Sequence, residues 1–195
     1  MSVDIFDYSW VPSSGLLFQL YSEIPSNELI GAEIGVRTGS NTIHILRNCP
    51  KIKHFFAIDP FIPYQDGTLT VTQEDQDLVK QILLHRVSRN GFSDKVTFIF
   101  KTSDDAVELI DNNVLDFIYI DGDHSEEFFK RDLYNYISKV KVGGIVSGHD
   151  ASWEDVKKVL LDFYEKTKIE VYWDKTTDSW YFQKTEEAES FGIES

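Results

Sequence analysis

Ile30-Gly31-Ala32-Glu33-Ile34-Gly35-Val36-Arg37-Thr38-Gly39-Ser40 decides how the rest of the chain is read. An apolar strand runs into a turn punctuated by glycines, and a helix opens beyond it. In a parallel α/β sheet, a nucleotide-like ligand lies at such a turn, outside the carboxyl ends of the strands. Gly35 and Gly39 can take backbone angles closed to other residues. The helix that opens near Ser40 offers unpaired backbone N–H groups. The spacing departs from the dinucleotide fingerprint G-x-G-x-x-G. It reads Glu-x-Gly-x-x-x-Gly, and an acid at Glu33 suits a ligand ammonium better than a pyrophosphate.

Working outward, the pattern alternates strand and helix. A first helix carries Leu16, Leu17, Leu20, Tyr21 and Ile24, with Ser13 as its cap, after an arm from Met1 to Pro12. The first strand ends near Val36, and Ser40 to Asn48 is helical. His54 to Asp59 is a second strand. Pro60 to Gln76 reads as an unstructured connection, a lid or a surface loop, with Phe61 and Tyr64 placed to pack on a ligand. Asp77 to Arg89 is a helix, Val96 to Phe100 a strand and Ser103 to Ile110 a helix. Leu115 to Ile120 is a strand. A helix over Ser125 to Val140 is capped by Ser125. Gly143-Gly144 turns into the strand Ile145 to Ser147. Ser152 caps a helix whose core face begins at Trp153. Ile169 to Trp173 and Ser179 to Phe182 form a closing strand pair, and the acidic tail from Lys184 frays.

This order predicts one Rossmann-like, doubly wound α/β domain over residues 1–195: a mostly parallel seven-stranded sheet, helices on both faces and an antiparallel C-terminal hairpin. A formal net charge of −14 argues against nucleic-acid and acidic-membrane partners. No apolar run approaches the roughly 18 residues of a spanning helix. A single cysteine, Cys49, fits a reducing cytoplasmic setting. The start, Met1-Ser2-Val3-Asp4, lacks a signal-peptide pattern. A small neutral or cationic substrate remains open, as does a homo-oligomer.

Polar clusters fall where strands end: Glu33 to Gly39, Asp59, Thr102 to Asp104, Asp121-Gly122-Asp123-His124, and His149-Asp150. Gathering acids on one rim needs a compensating partner, such as an ammonium, ribose hydroxyls or a divalent cation. Asp59 lies about 20 residues after the glycine turn, where an acid accepts ribose hydroxyls; the alternative is a turn-forming Asp before Pro60. Hard oxygen ligands in Asp121-Gly122-Asp123-His124 suit Mg²⁺ or Mn²⁺, and His149-Asp150 at the next strand's end makes a second point for such a site. His124 is placed as a general base. Arg37 either joins the ligand turn or pairs with a nearby acid.

Together, Glu33-x-Gly35-x-x-x-Gly39, Asp59 and Ile120-Asp121-Gly122-Asp123-His124 resemble the class I S-adenosylmethionine-dependent methyltransferases. Tyr119 to Asp150 is similar to the macrocin-type subgroup of small-molecule and sugar O-methyltransferases. The resemblance implies a cofactor site of Glu33, Gly35, Arg37, Gly39, Ser40, Asp59, Ser103, Asp104 and Asp121, with the methionine part in the glycine turn. It implies catalytic roles for His124 and Asp121, a metal on Asp121, His149 and Asp150, and a hydroxyl acceptor such as a sugar. His149 stands where metal-dependent relatives carry an acid. Two other readings stay open: a nucleotide-sugar glycosyltransferase using Asp121-Gly122-Asp123, and a non-catalytic protein that keeps the fold.

Overall fold

The computed structural model describes residues 15–189. The expected arm and the Ser13 cap lie outside them. Nine strands and their helices follow in the order α1 (Gly15–Glu23), β1 (Leu29–Ile34), α2 (Ser40–Asn48), β2 (Ile52–Ile58), β3 (Tyr64–Asp66), β4 (Leu69–Val71), α3 (Gln73–Arg89), β5 (Val96–Ile99) and α4 (Ser103–Ala106). A 3₁₀ turn (Val107–Leu109) is followed by β6 (Leu115–Ile120), α5 (Glu126–Ile137), β7 (Val140–Gly148), α6 (Glu154–Thr167), β8 (Tyr172–Asp174), β9 (Ser179–Gln183) and α7 (Glu186–Glu189).

The main sheet has seven strands in the order β5-β2-β1-β6-β7-β9-β8. β1, β2, β5, β6 and β7 are parallel, and β9 pairs antiparallel to both β7 and β8. The predicted Rossmann-like α/β fold and its C-terminal hairpin are therefore present. Two apolar clusters cover the two faces. One joins Ile34, Ile118, Phe129, Leu133, Val156 and Phe163; the other joins Leu17, Tyr21, Leu46, Phe55, Leu83 and Phe117. Strand β6 is buried along its whole length. Such a strand reads as a continuous apolar run because both its faces are covered.

Register makes the rim. Ile34 pairs with Ile58 and Ile120, Ile58 with Ile99, and Ile120 with Gly148. Hence Gly35, Asp59, Asp121 and His149 all leave the sheet at one level. Each donates its backbone N–H to the last carbonyl of a neighbouring strand.

Several expectations need correction. Pro60 to Gln76 is a β3–β4 hairpin, and α3 starts at Gln73 because Thr72 and Asp75 form a reciprocal capping box. Phe61 is buried rather than available to a ligand, edge-on to Phe100 at 5.8 Å, whereas Tyr64 is exposed. Ser125 and Ser152 make no side-chain cap; Trp153 is the N-cap residue of α6 and is 55% exposed. Val140 belongs to a strand, not a helix face.

Gly143-Gly144 lies within β7, where the register passes from Leu115↔Val140 to Phe117↔Ile145 across a bulge. The tail explains this. Lys184 accepts from Gly143 N and donates to Gly144 O, and its buried ammonium donates to Val140 O at 2.6 Å and Asn113 Oδ1 at 3.0 Å. Residues 184–188 are thus packed against the sheet rather than frayed. No helix among the described residues is long and apolar enough to cross a membrane.

Candidate active site

The glycine turn is held by backbone geometry that leaves no room for a side chain. Gly35 sits at φ +82°, and a Cβ there would lie 2.0 Å from the Asp121 carbonyl oxygen. Gly39 sits at φ +75°, and its Cβ would meet Leu83 of α3 at 2.5 Å. Between them Arg37 has a positive φ of 45°. Its N–H donates to Asp59 Oδ2 at 2.9 Å, while Asp59 Oδ1 accepts from Phe61 N at 3.0 Å. Asp59 thereby closes the gap between the first two strand exits. Burial raises its pKa against the pull of these two amides and the Arg37 charge. Each carboxylate oxygen keeps a second lone pair.

Glu33 lies one residue before the end of β1. It is 1% exposed and accepts from Asn41 Nδ2 at 2.9 Å and from the Thr42 hydroxyl. It ties α2 to β1 beneath the turn. Burial pushes its pKa up to about 8, despite those two donors. Ser40 Oγ accepts from Arg86 at 2.7 Å, and the same guanidinium donates to Thr38 O at 3.1 Å. Arg86 of α3 is a turn-holding residue that sequence reasoning missed; nothing in its helical spacing marks it.

Ser103 and Asp104 open α4 at the exit of β5. Helix α5 holds both. Tyr136 donates to Ser103 O at 2.8 Å, and Arg131 pairs with Asp104 at 2.6 Å. Asp132, buried beside them, has a pKa pushed up to about 7 by burial, against a Ser103 hydrogen bond.

The densest cluster lies between the exits of β6 and β7. His124 Nε2 is 2.8 Å from Asp150 Oδ2 and 3.5 Å from Asp121 Oδ1. The same Asp150 oxygen is 3.0 Å from His149 Nδ1. Burial disfavours the charged imidazole, yet the hydrogen bonds and charges of Asp121 and Asp150 outweigh it and push His124 up to about 10. His149 is raised as well: Asp150 and Asp121 outweigh its burial. Burial alone would lift Asp150, but the two imidazoles hold it well below the usual carboxylate range.

Asp121, His124 and Asp150 each offer a ligand atom, all within 4.8 Å of one another. Of the expected set Asp121, His149 and Asp150, the two acids stand with His124, and His149 Nδ1 reaches the same Asp150 oxygen.

The β7 exit is pinned from the C-terminal hairpin. Trp180 donates its indole N–H to His149 O at 3.0 Å, and a Cβ on Gly148 would come within 2.6 Å of that ring. Asp178 accepts from Ala151 N at 3.1 Å, Ser152 N at 2.9 Å and Ser152 Oγ at 2.6 Å. The pinned loop holds Asp150 at φ 57° and sets the Trp153 ring 5.8 Å from that of His124. Asp is among the non-glycine residues that tolerate this left-handed backbone best. Asp123 turns away: its Oδ1 accepts from Ser125 N at 2.8 Å.

With this geometry in view, comparison with known proteins places the chain. The methyltransferase domain family matches residues 32–151, more than half of its length. Among solved structures, the O-methyltransferase NovP superposes with a TM-score of 0.65 at 20% identity, over 87% of this chain and 78% of that one. A Staphylococcus aureus protein named for caffeoyl-CoA O-methylation gives 0.63 at 16% identity, over 86% and 81%. An rRNA methylase from Streptococcus thermophilus gives 0.61 at 12% identity, over 88% and 95%. At such identities the likeness is one of fold. No curated protein matches the sequence.

Proposed function

The chain belongs to the class I S-adenosylmethionine-dependent methyltransferases, and from that premise we propose that it methylates a hydroxyl oxygen of a small molecule. The observation that carries this is the Asp121–His124–Asp150 cluster one loop away from the glycine turn, with Gly35 packed on the Asp121 carbonyl. Methyl transfer from a sulfonium needs no protein nucleophile. It needs an aligned acceptor and removal of its proton.

In this reading the turn from Gly35 to Ser40 takes the methionine part of the cofactor, and Arg37 lies in its wall. Asp59 offers its remaining lone pairs to the ribose hydroxyls, and the Ser103–Asp104 segment borders the adenine. Glu33 acts from below by fixing α2, rather than by touching the ammonium. His124 is the proton acceptor. As a free-standing ion pair with Asp121 and Asp150 it already holds a proton at neutral pH. A base must be unprotonated, so its activation requires those two carboxylates to be engaged elsewhere.

Two carboxylates and an imidazole form a donor set that fits a divalent cation, and the nitrogen shifts preference from Mg²⁺ towards Mn²⁺ or Zn²⁺; with its Nε2 on an ion, His124 would be a ligand, and the ion rather than the imidazole would activate the hydroxyl. Such an ion would lower the pKa of a bound hydroxyl. The net charge of −14 supports a small acceptor over a nucleic acid. The buried free Cys49 is compatible with a cytoplasmic setting.

The test is a paired assay. S-adenosylhomocysteine should raise the unfolding midpoint and a UDP-sugar should not. Incubation with S-adenosylmethionine and a panel of sugars and phenols should yield an O-methyl ether, lost in His124→Ala. Methylation of RNA or of an amine, with no hydroxyl product, would overturn the reading.

A further inference from the structure

Trp153, Trp173 and Trp180 lie among the described residues, and the last two serve the fold. Trp180 is fully buried and donates its indole N–H to His149 O at 3.0 Å. Trp173 donates to Asp178 Oδ1 at 2.9 Å, and the Lys175 ammonium lies 5.3 Å from its ring centre. Trp153 is the most exposed of the three, and its ring centre is 5.8 Å from that of His124. Its indole N–H meets no acceptor among the described residues.

The fold gains little from an indole there. Trp153 is the N-cap of α6 and makes no side-chain cap, where a small polar side chain would satisfy an open helix N–H. A broken local rule with no structural return is characteristic of a functional position. The base of the ring is nevertheless fixed. Trp153 N donates to Asp150 O at 2.9 Å, Ser152 Oγ is held by Asp178, and Asp155 accepts from Glu126 N at 3.3 Å.

Sheet order decides which side of the cluster the ring occupies. The glycine turn leaves β1, His124 follows β6, Trp153 follows β7, and β6 lies between β1 and β7. A methyl donor in the turn approaches the cluster from one side, and an in-line acceptor lies on the other, where Trp153 stands. A ring inserted between the indole and the imidazole would need two contacts of about 3.5 Å each, more than the 5.8 Å between their centres allows. The free surface is therefore the outward indole face.

We propose that Trp153 is the platform for the acceptor and that the acceptor is a ring compound, its flat face on the indole and an edge hydroxyl at the Asp121–His124–Asp150 cluster. This rests on the methyl-transfer reading. An indole packs well against an aromatic ring and against the apolar C–H face of a pyranose, so a phenol and a sugar share this chemistry. An open-chain alcohol presents no such face.

The test is an NMR titration of the isotope-labelled full chain, loaded with S-adenosylhomocysteine, with phenol, a methyl glucopyranoside and glycerol. Phenol or the glucoside should bind saturably and move the Trp153 indole resonance, and the one that binds names the source of the ring. Glycerol should not saturate. Trp153→Ala should weaken ring binding about tenfold, and Trp153→Phe should restore most of it. Leu161→Ala, at an exposed position of α6, should leave it unchanged. The His124 titration midpoint should stay in place in Trp153→Ala. Saturation by neither ring, equal binding of glycerol, or wild-type affinity in Trp153→Ala overturns the proposal. So does a displaced His124 midpoint, which would make the indole a shield for the imidazole. If S-adenosylhomocysteine does not bind, the methyl-transfer reading fails and the platform with it; if it binds and the rings do not, the platform fails alone.

Discussion

His124 Nε2 and Asp150 Oδ2 lie 2.8 Å apart, and this contact sets the protonation state of the proposed catalytic base. With its pKa pushed up to about 10, His124 should titrate far above a free imidazole in the cation-free protein. The native pKa exceeds the unfolded value. The pairing therefore stabilises the fold fully below about pH 6.5 and is lost as pH rises through the native value. Imidazole resonances followed by NMR should give a midpoint near 10, falling in Asp150→Asn. A midpoint near that of a free histidine would contradict the geometry.

A divalent cation at Asp121, His124 and Asp150 must displace that proton. Titration with Mn²⁺ or Zn²⁺ near neutral pH should release about one proton per ion. The dependence of the calorimetric heat on buffer ionisation enthalpy reports it. Proton-free binding, or binding that survives Asp121→Asn with Asp150→Asn, would remove the cluster as a cation site.

Glu33 has a linkage of the same sign in a lower pH window. Its native pKa of about 8 is raised, so the native state holds a proton that the unfolded chain releases above its ordinary carboxylate value. Stability should fall as pH rises from about 4.5 to 8, relative to Glu33→Gln, whose neutral amide keeps a hydrogen-bonding side chain in place. Thermal unfolding of both proteins across that range measures it. Parallel curves would show that Glu33 is ionised throughout.

Strand order and the rim were legible because apolar runs such as Leu115 to Ile120 are buried on both faces, and because parallel strands export their next residue to one edge. What stayed hidden depends on partners far along the chain. Ser152 looks like a helix cap, but Asp178 captures its hydroxyl. Gly143-Gly144 looks like a turn, but Lys184 returns to fill the bulge. The spacing reads His149 as a metal ligand and His124 as a base, yet Asp150 lies 2.8 Å from His124 Nε2 and 3.0 Å from His149 Nδ1. The loop pinned by Asp178 and Trp180 brings the three together, and no local spacing encodes it.

Asp59→Ala should cost binding and stability together. It removes the acceptor of the exposed Arg37 amide and of the part-buried Phe61 amide, and a lost hydrogen bond of this kind costs about 0.5–1.5 kcal/mol. Calorimetry should show at least an order of magnitude weaker binding of S-adenosylhomocysteine, with a lowered unfolding midpoint. Unchanged affinity would take Asp59 out of the cofactor site.

Gly35→Ala places a Cβ 2.0 Å from the Asp121 carbonyl at a φ of +82°. It should lower stability by about 1–3 kcal/mol from backbone strain alone and disrupt both the turn and the β6 exit. Denaturant unfolding measures the loss. Wild-type stability would mean that the two strand exits are not in contact.

The central claim is that one rim carries both the cofactor and the proton acceptor. A crystal structure with S-adenosylhomocysteine tests it most directly. The account predicts the ribose hydroxyls on Asp59, the amino-acid part in the Gly35–Ser40 turn, and the sulfur facing the space beside His124. A cofactor bound elsewhere on the chain, or a sulfur walled off from His124, would contradict it.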